Sequence, residues 1–277
     1  MPPKLGILAG GGVLPARLIE ACRVQGRECF IVAFKDQTDP QAIADAPHEW
    51  VRLGAAGKAL ELLKENNVEE LVMAGPIKRP SLAAIRPDAW ALKLLTKAGV
   101  SSLGDDGLLS VIVNELENEG LKVIGVDDIL SNFLAEAKVY GKIEPDKTAL
   151  TDIERGFHVA WILGQADVGQ AVVVQQGLVL AVEAIEGTEK MVSRIPDVAR
   201  EGPGGVLVKA KKPKQEKRAD LPTVGPETVK QAAKAGLSGI AVEAGGALVV
   251  DPVETTTQAD RLGLFLVGYA KGSHPDR

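Results

Sequence analysis

"KLGILAGGGVLPARLIEACRVQG", residues 4–26, decides the fold. Its first seven residues form an apolar run that ends in glycine, the pattern of a strand buried in a parallel sheet. From Pro15 onward, Leu18, Ile19 and Cys22 recur at helical spacing, and Gly26 closes the helix. Between strand and helix stand Gly10, Gly11 and Gly12. A strand, a glycine turn and a helix in this order open a doubly wound α/β domain.

The same grammar continues outward. "CFIVAF" (29–34) reads as a second strand, "AAGKALELLKENN" (55–67) as an amphipathic helix and "ELVMAG" (70–75) as a third strand. Helices are expected over 88–98 and 105–119. The latter carries Leu108, Leu109, Ile112, Val113 and Leu116 on one face. "KVIGV" (122–126) is a fourth strand. The expected fold is therefore α/β in two domains: an N-terminal Rossmann-like doubly wound parallel sheet, and a C-terminal mixed α/β domain.

The boundary is expected in "EAKVYGKIEPDKT" (136–148), which mixes charge with a glycine and a proline. That gives domains over 1–136 and 148–277 with a linker at 137–147. Beyond it the alternation is less clean. A helix at 148–163 precedes "AVVVQQGLVLAVEA" (171–184), which reads as a hairpin. A helix at 188–199, a strand at 205–210, a helix at 226–236 and strands at 239–243 and 246–250 follow.

Composition narrows the function. The chain has 277 residues, a net charge of −5 and 4% aromatic residues, which argues against a nucleic-acid binder and against stacking platforms for single strands. No apolar run approaches the roughly 18 residues of a membrane span, and the N-terminus lacks a signal-peptide pattern, so a cytoplasmic protein is expected. Cys22 and Cys29 have no zinc spacing and read as two reduced thiols.

The glycine turn supports two readings. Unpaired N–H groups at a helix start seat phosphate, and Asp36 at the end of the second strand resembles a ribose-binding acid. However, Val13, Leu14 and Pro15 follow the glycines, so the third glycine of the dinucleotide fingerprint is missing. The other reading is a tight turn that lets strand meet helix. Asp105 and Asp106 open a helix, where acids favour the dipole. Glu183 and Glu186 flank a strand end, and Thr188 is expected to cap the next helix. His158 is expected as a packed core residue. No serine elbow, zinc-helix motif or Walker loop is present.

The remaining signal is "VKAKKPKQEKRADLPTVG" (208–225), which gathers Lys209, Lys211, Lys212, Lys214, Lys217 and Arg218 in an acidic chain. A charge run is ordinarily a solvated loop. This one follows an apolar strand, is stiffened by Pro213 and closes on Asp220 and Pro222. Cations held beside a carboxylate suit phosphate and Mg²⁺, which takes one or two carboxylates plus waters and substrate phosphates. That is the logic of a pyrophosphatase or phosphoryl transferase.

Six stretches in order, "LGILAGGGVLP", "MAGPIKRP" (73–80), "GDDGLL" (104–109), "DVGQ" (167–170), "GLVLAVEAIEGTE" (177–189) and "KAKKPKQEKRADLPTVG" (209–225), give the chain a wider resemblance. It resembles, over nearly its whole length, the LpxI family of UDP-2,3-diacylglucosamine pyrophosphatases. The resemblance implies hydrolysis of UDP-2,3-diacylglucosamine to lipid X and UMP in lipid A biosynthesis, with Mg²⁺. It also implies a lipid substrate held between two domains, and transient contact with the inner membrane surface from the cytoplasm. Lys209, Lys212, Gln215, Arg218, Asp220 and Thr223 match the family pattern, whereas Lys211, Lys214 and Lys217 do not and read as solvated charge. Asp220 is the expected essential carboxylate and metal ligand. Glu183, Glu186 and Thr188 are expected at phosphate and metal. Gly11, Gly12, Arg79, Asp105, Asp106 and Gln170 are expected on the substrate. The rival readings are an NAD-using or nucleotide-sugar oxidoreductase and a non-catalytic nucleotide-lipid carrier. Nothing fixes the oligomeric state; a homodimer is the working expectation.

Overall fold

The computed structural model describes residues 2–78, 85–98, 105–213 and 215–270. It divides into two compact units. One comprises Met1–Ser131 together with Glu216–Asp220, and the other Asn132–Gln215 with Leu221–Arg277.

The first unit is built on a parallel sheet of β1 (Leu5–Ala9), β2 (Cys29–Phe34), β3 (His48–Val51), β4 (Glu70–Ala74) and β5 (Lys122–Val123), in the order β3-β2-β1-β4-β5. Its helices are α1 (Leu14–Gln25), α2 (Pro40–Ile43), α3 (Ala56–Glu65), α4 (Ala89–Ala98), α5 (Asp105–Asn118) and α6 (Val126–Ile129). Alternation along β2 sorts the two faces. Phe30 and Val32 pack with Leu60 and Leu63 of α3 and Val113 and Leu116 of α5. Ile31 and Ala33 point the other way, and right-handed crossovers place α1 on that face, where Leu18, Ile19 and Cys22 are buried. Each fully buried aliphatic side chain of this kind stabilises the fold by about 1.5–3 kcal/mol.

Two strands depart from the sequence reading. β3 was not expected; only Val51 of its residues is buried, because it is the sheet's edge strand. β5 is shorter than expected, since the Gly125 N–H donates to the Asp128 carboxylate at 2.8 Å and starts α6 there.

The second unit carries a mixed sheet of β6 (Lys138–Val139), β7 (Ala171–Gln175), β8 (Leu178–Val182), β9 (Val206–Lys209), β11 (Gly239–Glu243) and β13 (Phe265–Tyr269). Their order is β6-β13-β11-β9-β7-β8, and a separate parallel pair joins β10 (Thr223–Val224) to β12 (Leu248–Val249). Helices α7 (Lys147–Gln165), α8 (Gly187–Ser193), α9 (Pro226–Lys234) and α10 (Pro252–Leu262) complete it. α7 lays Ala149 and Ile153 on Val206 and Val208. The opposite face packs Leu207, Ile240 and Leu266 against Met191 of α8, Val229 and Ala232 of α9 and Ala259 of α10.

The hairpin expected at 171–184 is β7–β8. Gln176 and Gly177 turn it with φ of 52° and 78°, the twist of a type I′ turn. The buried Asp152 carboxylate of α7 accepts from both of their N–H groups, at 2.9 and 2.6 Å.

Three expectations are corrected here. β9, β11 and β13 are parallel and alternate with α9 and α10, so this half has a clean βαβαβ run; the long segment between β9 and α9 hides it in the sequence. The expected linker 137–147 lies inside the second unit, where Val139 pairs with Val267 and Asp146 caps α7 through the Ala149 N–H at 2.8 Å. His158 is exposed, not packed, because α7 buries the stripe of Ala149, Ile153, Gly156 and Ala160 instead. Among the described residues no helix is long and apolar enough to cross a membrane.

Candidate active site

The sheet register of the second unit assembles one edge. β9 and β11 both end there, at Lys209 and Glu243. β7 runs the opposite way and begins there, with Ala171 opposite Lys209. β8 returns and ends there, with Val182 opposite Val172. Gln170, Glu183, Glu243 and the start of the basic segment therefore share the carboxyl edge of the parallel strands, where α/β sheets place their ligands.

Polar side chains are buried along this edge: Glu183 (7% exposed), Lys209 (6%), Lys212 (7%) and Gln215 (8%). Burial of such groups demands partners, and they are present. The Thr188 hydroxyl donates to Glu183 Oε1 at 2.6 Å, and the Gln170 N–H donates to Glu183 Oε2 at 3.2 Å. Gln215 Nε2 donates to Gln170 Oε1 at 3.2 Å, and the Lys212 N–H donates to Gln215 Oε1 at 2.8 Å. Lys212 Nζ donates to Asp167 Oδ1 at 2.5 Å. Lys209 Nζ donates to the Thr223 carbonyl at 3.0 Å. The edge thus collects Gln170, Glu183, Thr188, Lys209, Lys212, Gln215 and Thr223.

Thr188 does not cap α8, as its sequence position suggested; its hydroxyl is spent on Glu183, and Glu186 holds the N-cap position without a side-chain cap. Two participants were missed. Asp167, in a left-handed backbone conformation with φ of 53°, anchors Lys212. Glu243 accepts from the Lys211 N–H at 3.0 Å and pairs with the Lys211 ammonium at 3.8 Å, so Lys211 is not simply solvated charge. "DVGQ" pointed to the first; nothing in the sequence marked the second.

The first unit holds the other candidates. The turn after β1 is closed by backbone: the Gly10 N–H donates to the Ala74 carbonyl at 2.8 Å and the Gly11 N–H to the Pro76 carbonyl at 2.9 Å. A Cβ at Gly10 would stand 2.5 Å from the Gly75 oxygen, so the glycine is required by close approach of two loops. Gly12 follows in the same turn, and Asp36 is exposed.

Arg218 and Asp220 belong to the same unit, and Arg218 lies at its opposite end. Arg218 Nε and Nη2 donate to Glu216 at 2.9 Å each, and Nη1 donates to Glu117 at 2.6 Å. The bonds to Glu216 hold the guanidinium above its usual range, and in return they pull the Glu216 carboxyl down. With Arg27, Glu70, Lys122 and Asp128, Arg218 lines an open cavity of about 490 Å³ beside the first residues of β4 and β5. The glycine turn lies beyond the other end of β1, a strand of 5 residues, or about 16 Å. The Asp220 N–H donates to the Glu216 carbonyl at 3.1 Å, and Ala219 packs on the first unit's core. Asp105 and Asp106 are the first two residues of α5. Arg79 lies outside the described residues.

The Glu183 and Glu186 carboxylates, expected at the metal, already carry protein partners. Both oxygens of Glu183 accept from protein donors, and Glu186 Oε1 is paired with Arg194 at 2.9 Å. Among the described residues no group of three His, Cys, Asp or Glu is placed to hold a metal ion.

Two α/β units, the second with buried lysines, glutamines and a carboxylate on the carboxyl edge of its parallel strands, define the class of protein. The chain belongs to the LpxI family: the LpxI N-terminal domain matches residues 4–133 and the LpxI C-terminal domain residues 136–267. The UDP-2,3-diacylglucosamine pyrophosphatase LpxI of Caulobacter vibrioides is 39% identical over 279 residues, covering 98% of this chain and 99% of that protein. Among solved structures, the precorrin-6A reductase CobK gives a TM-score of 0.34 at 13% identity, covering 99% of this chain and 90% of its own. N5-carboxyaminoimidazole ribonucleotide synthetase from Thermotoga maritima gives 0.23 at 14%, covering 62% and 38%. Likenesses this distant carry no argument about function.

Proposed function

We propose that this chain hydrolyses the pyrophosphate bond of UDP-2,3-diacylglucosamine, releasing UMP and 2,3-diacylglucosamine 1-phosphate (lipid X), a step of lipid A biosynthesis. One observation carries the reading: identity of 39% to a pyrophosphatase of that specificity, spread over 98% of the chain. Membership in the family makes the chain a hydrolase of phosphoanhydride bonds.

The carboxyl edge of the second unit supports the reading chemically. Lys209 and Lys212 are buried cations able to bind diphosphate oxygens by charge-assisted hydrogen bonds. Asp167, Gln170 and Gln215 hold the chain around Lys212 in one arrangement, so part of its ordering cost is met before substrate arrives. Asp220 is the proposed essential carboxylate. Mg²⁺ is the proposed cofactor, and a bound Mg²⁺ neutralises diphosphate charge and activates water. Asp220, the carboxylate that closes the basic segment, is the residue proposed to hold it. Transient contact with the inner membrane surface follows from the amphipathic substrate and belongs to the same proposal, as does a homodimer.

The test is UMP release from UDP-2,3-diacylglucosamine by the purified chain, with Mg²⁺ and with EDTA. Release that EDTA abolishes supports the hydrolase and its metal dependence. Release that EDTA leaves intact retains the hydrolase and removes the metal. Binding without release under every divalent cation tried turns the chain into a nucleotide-lipid carrier.

A further inference from the structure

The chain's two cysteines lie on one face of the first sheet, at either end of the turn that carries Arg27. Cys22 sits in the last turns of α1 on its buried stripe, with Leu18 and Ile19. Cys29 opens β2. The pleat points it to the same side as Ile31 and Ala33, the face that α1 covers, and away from the side of Phe30 and Val32. The turn between them is tight: the Arg27 N–H donates to the Cys22 carbonyl at 2.9 Å, which folds the strand's start back under the helix's end. The two side chains thus share the helix–sheet seam, near enough for each thiol to shift the other's titration. Cys22 is 1% exposed, whereas Cys29 is partly open to solvent.

The surroundings separate the two thiols. The hydrogen bond from Cys22 holds the Cys29 thiol down at about 7, and the positive charges of Lys4 and Arg27 act in the same direction against its partial burial. The hydrogen bond to Cys29, together with burial, pushes Cys22 up. One thiol is thus an accessible nucleophile, and the other is a protonated neighbour within reach of it.

We propose that Cys22 and Cys29 are a reactive dithiol, in which Cys29 attacks a low-molecular-weight disulfide and Cys22 resolves the product into an intramolecular Cys22–Cys29 bond. In the first step the Cys29 thiolate bonds to one sulfur of oxidised glutathione and expels glutathione thiolate. In the second, Cys22 loses its proton to solvent, attacks the Cys29 sulfur and expels the second glutathione thiolate. The protein dithiol is oxidised by two electrons and the small disulfide is reduced by two. In a reducing compartment such a bond is transient, which suits a pair of this kind better than a structural crosslink.

The experiment is intact-mass spectrometry of the native full chain in oxidised glutathione, followed by dithiothreitol. The expected product is the chain minus two hydrogens, without adduct, returning to its starting mass on reduction. Cys22→Ser is expected to stop at a glutathione adduct on Cys29. Cys29→Ser is expected to react more slowly than wild type by about tenfold or more, since only the buried thiol remains. A wild-type chain that keeps a stable glutathione adduct, or whose two cysteines alkylate with iodoacetamide at equal rates, overturns the proposal. The wild-type measurement needs no variant, so a substitution that prevents folding leaves the test standing.

Discussion

The carboxyl edges of the parallel strands in the two units are put to opposite uses. In the first unit the edge is closed by backbone: glycine N–H groups after β1 donate to carbonyls of the loop after β4, and a Cβ at Gly10 has no room. In the second unit the edge is lined by side chains: Glu183, Gln215 and Lys212 are buried and joined through Gln170, and Lys209 is buried with its ammonium on the Thr223 carbonyl. The first edge has the more suggestive sequence and the second the more useful chemistry. Glycines at a strand–helix turn are needed equally for a phosphate and for a neighbouring loop, whereas a buried lysine must be held by something and so marks a constructed place.

The comparison yields four expected outcomes. The largest is Asp220→Ala, which is expected to reduce UMP release by about a hundredfold or more, read in a steady-state assay normalised to the folded fraction. Retained turnover would move the essential carboxylate elsewhere. Next is Asp167→Ala, which removes the carboxylate that holds the Lys212 ammonium; loss of this partly buried pair is expected to cost about 1–3 kcal/mol, measurable by urea denaturation, and KM is expected to rise more than kcat falls. Third, Gly10→Ala is expected to destabilise the chain by about 1–3 kcal/mol while the folded fraction keeps its kcat, because its glycine serves loop packing. A folded, stable Gly10→Ala chain that had lost substrate affinity would restore the first edge as a ligand seat and break the comparison. The smallest effect belongs to Lys217→Ala. Lys217 is exposed, so stability is expected to stay within about 0.5 kcal/mol and turnover to stay unchanged. Loss of activity there would mean that the basic segment acts by bulk charge and not through its buried members.

Much of the frame was legible in the sequence. β1, α1, β2 and β4, and the β7–β8 hairpin, follow from apolar runs, helical spacing and the Gln176–Gly177 turn, all of which are local signals. β3 and β6 were not legible. "HEWV" has only one buried residue and β6 only two residues in all, so both exist because a neighbouring strand offers hydrogen bonds. The βαβαβ run of the second unit was obscured by the segment between Lys209 and α9. That segment contributes to both units, since Glu216–Asp220 groups with the first and its flanks with the second.

By itself the sequence determined the α/β class, the family, and which residues of the basic run to watch, because apolar periodicity and motif order are properties of the chain. Tertiary structure alone decided what those residues hold. Sheet register brought Gln170, Glu183 and Lys209 to one edge although they are far apart in sequence, and it recruited Asp167 and Glu243. The same folding carried Arg218 into a clamp between Glu216 and Glu117, at the opposite end of the first unit from Gly11. Hydrogen-bond partners depend on which strands lie side by side, and strand neighbours are chosen by burial of the whole sheet, a quantity that no local stretch encodes.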